Sequence, residues 1–182
     1  MHSFSTRPLL LTILTAVLVY AVTLPIITSA WQSRAADIIV CVLWYLYTAF
    51  LVYVCYDFAT DFFQRQMSVR DSLWGFFNTL VSGIHVLGAL GMSIWLLDKG
   101  AFVGIVDSSN RYHIYYTYFL TTASGFILQT GFRTAVPSNG SAAGATFGIL
   151  GGLFGLFFIV IIFTLVARPV QRAISGNKPI RL

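Results

Sequence analysis

The amino-acid sequence predicts an all-α integral membrane protein: a four-helix transmembrane bundle plus a polar segment that is either re-entrant or a fifth span. Three observations carry the prediction. Of 182 residues, 57% are hydrophobic and only 9% are charged. A soluble domain carries nearer a quarter charged residues, so lipid is the solvent this composition suits. The hydrophobic residues gather into five runs, each near the ~20 residues a helix needs to cross ~30 Å of hydrocarbon. Aromatic side chains make up 16% of the chain, which suits a wide lipid-facing surface with ring belts at the interfaces.

The first run extends from about Pro8 to Trp31. Arg7 precedes an apolar core, Leu9 to Leu24, which Pro25 interrupts before the small residues Thr28-Ser29-Ala30. That order is shared with secretory signal peptides, but the apolar stretch is long for one, and a retained helix is expected. The second run, Ile38 to Phe58, holds both cysteines, Cys41 and Cys55. Fourteen helical residues separate them by roughly 21 Å, too far to bond to each other, so both read as small buried hydrophobes. Asp57, Asp61 and Arg65 follow at i, i+4 spacing, as on a solvated helix end with an Asp–Arg pair.

The third run is Leu73 to Leu97. The fourth, Tyr112 to Phe132, carries Thr117, Thr121, Thr122, Ser124, Gln129 and Thr130. These make it polar for a lipid-facing helix, so it is either a span inside the bundle or a re-entrant segment buried in protein. The fifth run, Ala142 to Ala167, is the most apolar, and a short basic tail, 168–182, follows it. No connection is long enough to fold alone, so residues 1–182 read as a single polytopic membrane domain.

Charge placement bears on topology. The net charge of +5 is scattered between apolar runs, which fits topology determinants and not a nucleic-acid surface. With four spans and a re-entrant fourth segment, Arg7, Arg65, Arg70, Arg168, Arg172, Lys178 and Arg181 share one side. Arg34, Lys99, Arg111 and Arg133 take the other. The richer side is expected to be cytoplasmic and to hold both termini. Five full spans would put the Arg65–Arg70 loop and the basic tail on opposite sides. The sequon Asn139-Gly140-Ser141, a possible glycosylation site at Asn139, faces the lumen or exterior under the four-span arrangement. A plasma-membrane or endomembrane location is expected ahead of an organellar one.

His85 is the one ionisable residue deep inside a predicted span, and such a residue marks a site by default because burying it is costly. Asn78, Ser82, His85, Ala89 and Ser93 recur at spacings of three and four, forming a polar and small face that turns inward. The plain reading is a neutral histidine bonded to a neighbouring helix; the sharper one is a proton relay or haem ligand. A bis-histidine haem is disfavoured because His2 and His113 lie near the membrane surfaces. In the fifth run, Gly144, Gly148 and Gly152 form a small-xxx-small row with Gly151 and Gly155 beside it. Such a row lets helix backbones approach closely, within one chain or between chains.

Before that run, Gly131, Phe132 and Pro137 resemble part of the potassium-channel pore segment. Arg133 stands where that filter has its second glycine, and a ring of arginines would repel a cation. Nucleotide, dinucleotide, redox and zinc-protease motifs are missing, and the Ser-Gly of Ala123-Ser124-Gly125 has no histidine in a later helix. No catalytic residue, cofactor site or metal site is therefore expected. In size and topology the chain is similar to small tetraspan organising and trafficking proteins, such as those with MARVEL domains. The expected role is a non-enzymatic membrane organiser, trafficking factor or subunit of a membrane complex. Its partners would be the lipid bilayer and other transmembrane helices, in a homo-oligomer or a larger assembly, and not nucleic acid. The alternative is a channel or transporter subunit whose pathway is lined by Asn78, Ser82, His85 and the fourth segment.

Overall fold

The computed structural model describes residues 6–25, 33–64, 68–104, 110–127, 136–138 and 140–174. The fold is all-α. Helix α1 (Thr6–Ala16) runs directly into a π-helical stretch, Val17–Thr23, and stays helical through Pro25. Helices α2 (Arg34–Gln64), α3 (Val69–Leu97), α4 (Arg111–Ile127) and α5 (Ala142–Ile174) follow. Three of these carry segments long and apolar enough to cross a membrane: Arg34–Phe63, Arg70–Leu97 and Ala142–Ala167. In α1 the apolar stretch is shorter, Leu9–Thr23, and α4 has 17 residues. The described parts of the first and fourth runs are thus shorter than a span, and 26–31 and 128–132, which those runs included, lie outside the described residues.

Helix starts are set by side-chain caps that satisfy the first free N–H groups. Ser33 Oγ accepts from the Ala36 N–H at 3.2 Å, and Asn110 Oδ1 accepts from Tyr112 and His113. At α3, Ser68 Oγ accepts from the Asp71 N–H at 3.0 Å and donates to the Asp71 carboxylate at 2.8 Å. Ser141 Oγ accepts from the Gly144 N–H at 3.2 Å. These caps begin α2 and α3 four residues ahead of the apolar runs. At its far end α5 continues past Ala167 to Ile174.

Side-chain contacts give the helix directions. Thr12 meets Asn78 and Ser82, and Tyr20 meets His85, so α1 runs parallel to α3. Thr15 meets Tyr47 and Thr23 meets Trp44, so α2 runs antiparallel to α1. On α3, Gly88 and Gly91 face Phe119 and Tyr118, while Gly91 and Gly83 face Phe147 and Phe158. Helices α4 and α5 therefore both descend antiparallel to α3. Helix α3 is central, with 72% of its most apolar window buried, against 39% for α2 and 22% for α5.

A two-residue antiparallel pair closes one end of the bundle: β1 (Phe102–Val103) and β2 (Val136–Pro137), with Val103 opposite Val136. The turn Lys99–Ala101 leads into it. Asp98 organises this cap by accepting from the Gly100 N–H at 2.9 Å and from the Ser141 hydroxyl at 2.7 Å. Phe102 packs edge-on against Tyr118 and Phe147 beneath the pair. Ile127 lies about 25 Å along α4 from Arg111, yet Val136 is back beside Val103. The starts of α4 and α5 thus share the sheet end of the bundle. The first residues of α1 and α3 and the last of α2 and α5 share the other.

Candidate functional site

Asn78 and Ser82 of α3 are buried against α1. Asn78 is 8% exposed and Ser82 is fully buried. The Thr12 hydroxyl lies 3.0 Å from Asn78 Oδ1, 3.1 Å from the Asn78 carbonyl and 3.1 Å from Ser82 Oγ. It has one proton for these acceptors, and Ser82 donates its own to the Asn78 carbonyl at 2.8 Å. Asn78 Nδ2 donates to the Trp74 carbonyl at 2.8 Å. Further along α1, the Thr15 and Tyr47 hydroxyls are 3.0 Å apart, and Trp44 Nε1 donates to Thr23 Oγ1 at 3.1 Å. Together these bonds make a polar seam from Thr12 to Thr23 that ties α1 to both neighbours.

His85 stands at the junction of α1, α3 and α4. Its Nδ1 is 2.9 Å from the Val81 carbonyl, which can only accept, so that nitrogen carries the proton. In the neutral ring Nε2 then accepts from the Tyr20 hydroxyl at 3.3 Å. The imidazole also sits edge-on to Phe119, with ring centres 4.9 Å apart. Tyr20 lies within the π-helical stretch, whose wider turn shifts the residues after it relative to an α-helix. The hydroxyls of Tyr115 and Tyr118 are buried without a hydrogen bond among the described residues. The Tyr115 ring meets that of Tyr20 edge-on, with centres 6.1 Å apart.

Three threonines of α4 bond within their own helix. Thr117, Thr121 and Thr122 each donate to the carbonyl four residues earlier, at 3.0, 2.8 and 2.9 Å. This use of backbone acceptors lets a threonine sit in an apolar setting without a partner helix. Helix α4 meets α3 at Gly88 and Gly91, and Asn78 and Ser82 meet α1. Among the described residues His85 meets both α1 and α4, through Tyr20 and Phe119; Gln129 and Thr130 of the expected pathway lie outside the described residues.

The five glycines of α5 divide sharply. Gly144 is pressed against the backbone carbonyls of Ala101 and Ser138, where a Cβ has no room. Among the described residues, Gly151, Gly152 and Gly155 have nothing within 4 Å of an added Cβ, and Gly148 is exposed. The intimate helix contact lies instead at Gly88, where a Cβ would meet the Phe119 backbone at 3.2 and 3.3 Å. Sequence reasoning passed over that position. Its signal was a lone Gly-xx-Gly pair on the helix already identified as central by its polar face.

Other expected sites fall as follows. Cys41 and Cys55 are unpaired with each other and buried. Asp61 is 4% exposed, so this end of α2 is packed and not a solvated face; Arg65 lies outside the described residues. So do Asn139, His2, the filter-like stretch through Arg133, the cleavage-like Thr28–Ala30 and the tail beyond Ile174. His113 is exposed at the start of α4, at the sheet end. No protein-family model, curated protein or solved structure matches the chain.

Proposed function

We propose that the chain is a four-span integral membrane protein with α4 re-entrant, acting without catalysis by offering helix faces to other membrane components. The carrying observation is the open glycine face of α5. In a bilayer Gly is costly in a helix interior unless it permits close backbone contact. Gly151, Gly152 and Gly155 have no such contact among the described residues, and α5 is the least buried of the three long spans. A second helix, from another copy or another protein, would complete that face.

The return of the chain to Val103 supports the re-entrant assignment. Nine residue steps from Ile127 to Val136 reach at most about 30 Å, enough to come back along α4. The arrangement puts the ends flanked by Arg7, Arg70, Arg168 and Arg172 on one side, which the positive-inside rule makes cytoplasmic. The sheet and the start of α4 then face the lumen or exterior. The membrane in question is the plasma membrane or an endomembrane. An organising, trafficking or complex-subunit role suits a protein whose polar groups are consumed in its own seams.

Two experiments test this. Accessibility of single cysteines placed at Val103, Ser138 and Ser68 in sealed vesicles should report the first two on one side and the third on the other. Val103 and Ser138 on opposite sides would remove the re-entrant reading. Gly152→Leu should dissolve or reduce the assembled species seen by native electrophoresis in mild detergent. An unchanged assembly would remove the packing role.

A further inference from the structure

Helices α2 and α3 are longer than a bilayer needs, and the excess lies at the basic end. They have 31 and 29 residues, about 46 and 43 Å, against ~30 Å of hydrocarbon. The ~20 residues of a span, counted back from Leu97, end at Asn78. Ser68 stands about 15 Å further along the axis. The headgroup layer takes only about 5–8 Å of that. Trp74, 48% exposed, falls at headgroup depth, where interfacial aromatic rings gather. On α2 the same count from Ile38 ends at Asp57, and Gln64 stands about 10 Å beyond it. The tip of this helical hairpin therefore projects into water.

Ser68 sits at that tip. It is exposed, and its backbone, at φ −60° and ψ 152°, is extended and not helical. Its hydroxyl lies at the surface, donating to the Asp71 carboxylate at 2.8 Å and accepting from the Asp71 N–H at 3.0 Å. Arg70, two residues on, is exposed as well. In the order Arg65-Gln66-Met67-Ser68-Val69-Arg70, one arginine precedes the serine by three residues and another follows it by two. Among all the serines and threonines of the chain, only Ser68 has a basic residue at both positions. Ser175 has Arg172 three before it but Asn177 two after. A protein kinase with an acidic substrate groove reads such flanks by charge, from a segment held as an extended strand. Residue order therefore decides recognition, and only the first turn of α3 must open.

We infer that Ser68 is a phosphorylation site for a cytoplasmic protein kinase that selects arginine on both sides of its target. The inference rests on the cytoplasmic assignment of the basic end made above. In the step itself, Ser68 Oγ attacks the γ-phosphorus of ATP. A new P–O bond forms, the bond to ADP breaks, and the hydroxyl proton passes to the kinase's aspartate. The product bears on the fold. The phosphate brings about −1.5 to −2 charges beside the Asp71 carboxylate, and the proton that Ser68 gave to Asp71 is gone. The reciprocal cap of α3 opens on that side. The tip, with two arginines and one aspartate over 65–71, turns from basic to acidic. Phosphorylation thus reverses the charge that this tip presents to anionic headgroups.

The test uses the full chain in phosphatidylcholine nanodiscs, with ATP and the catalytic domain of a kinase that selects arginine at these two positions. Phosphate is counted by intact-protein mass spectrometry and located by peptide fragmentation. One phosphate at Ser68 is expected, and none at that position in Ser68→Ala. A charge-assisted contact to each arginine is worth about tenfold or more. Arg65→Gln with Arg70→Gln should therefore slow incorporation about 100-fold, and Arg65→Lys with Arg70→Lys should keep most of it. No phosphate at Ser68, phosphate at Ser175 alone, or equal rates before and after the exchange to glutamine would each overturn the proposal. Sealed vesicles with the cytoplasmic face outward should be modified by added kinase, and vesicles of the opposite orientation should not. Failure of the cytoplasmic assignment looks different: Ser68 would pass the nanodisc test and be modified only in the opposite orientation, which removes the kinase's access to it.

Discussion

The α3–α4 seam and the open face of α5 make opposite predictions for the same substitution. In Gly88→Ala the new methyl would sit 3.2 Å from Cα and 3.3 Å from N of Phe119. Ordinary contact begins near 3.5 Å. The obstacle is backbone, so no side chain can rotate away, and α4 must shift by a few tenths of an ångström. Overpacking of this kind costs about 1–3 kcal/mol. Against it stands the helix-propensity gain of alanine over glycine, about 0.8–1.0 kcal/mol. Gly152→Ala receives the same gain with nothing in its way. The difference in stability between the two variants cancels the propensity term and isolates the clash. Gly152→Ala should therefore exceed Gly88→Ala by about 1–3 kcal/mol. The measurement is unfolding of the protein in mixed detergent and dodecyl sulfate micelles, followed by circular dichroism, at a dilution where assembly is absent. Equal stability of the two variants within about 0.5 kcal/mol would refute the close approach of α4 to Gly88.

Other consequences of the seams and cap are open to measurement. Thr12→Val keeps the volume of the side chain and removes the hydroxyl shared by Asn78 and Ser82. It should cost about 0.6–1.7 kcal/mol, and its effect should vanish in an Asn78→Leu background; additive losses would sever the link. Asp98→Ala removes the acceptor of both Gly100 and Ser141. Amide exchange around Gly100 should rise, with about 1–2 kcal/mol of local stability lost; protection at the wild-type level would show the cap to be held by other contacts. His85→Phe retains the edge contact with Phe119 and deletes the Tyr20 bond. A loss of less than about 1 kcal/mol is expected, and a collapse of helix content would contradict the part assigned to the histidine.

Much of this architecture is written in the chain, and the parts that are hidden have identifiable causes. Hydropathy places α2, α3 and α5 because each needs twenty apolar residues in sequence. It places the starts of α2 and α3 four residues late, although Ser33 and Ser68 each stand just ahead of the helix and are of a side-chain type that accepts from a first-turn N–H. The polar periodicity of Asn78 and Ser82 signals an inward face. Which helix meets that face depends on Thr12 in α1, and one helix's pattern carries no information about its neighbour. Glycine density in α5 signals close packing but not its location: Gly88, in a less conspicuous setting, has the backbone contact, and Gly151 and Gly152 have none. The π-helical stretch Val17–Thr23 has no compositional mark. Its wider turn shifts the residues that follow relative to an α-helix, and Tyr20, within it, meets His85.

The pairing of Val103 with Val136 also constrains the order of events during synthesis. These two residues bracket all of α4, so the pair is a clasp on a long loop, and the entropic cost of closing it falls before any ladder bond is gained. Until the ribosome has made Pro137, nothing at the sheet end holds the far side of that loop. The closure of that loop thus waits on the short segment that leads into α5.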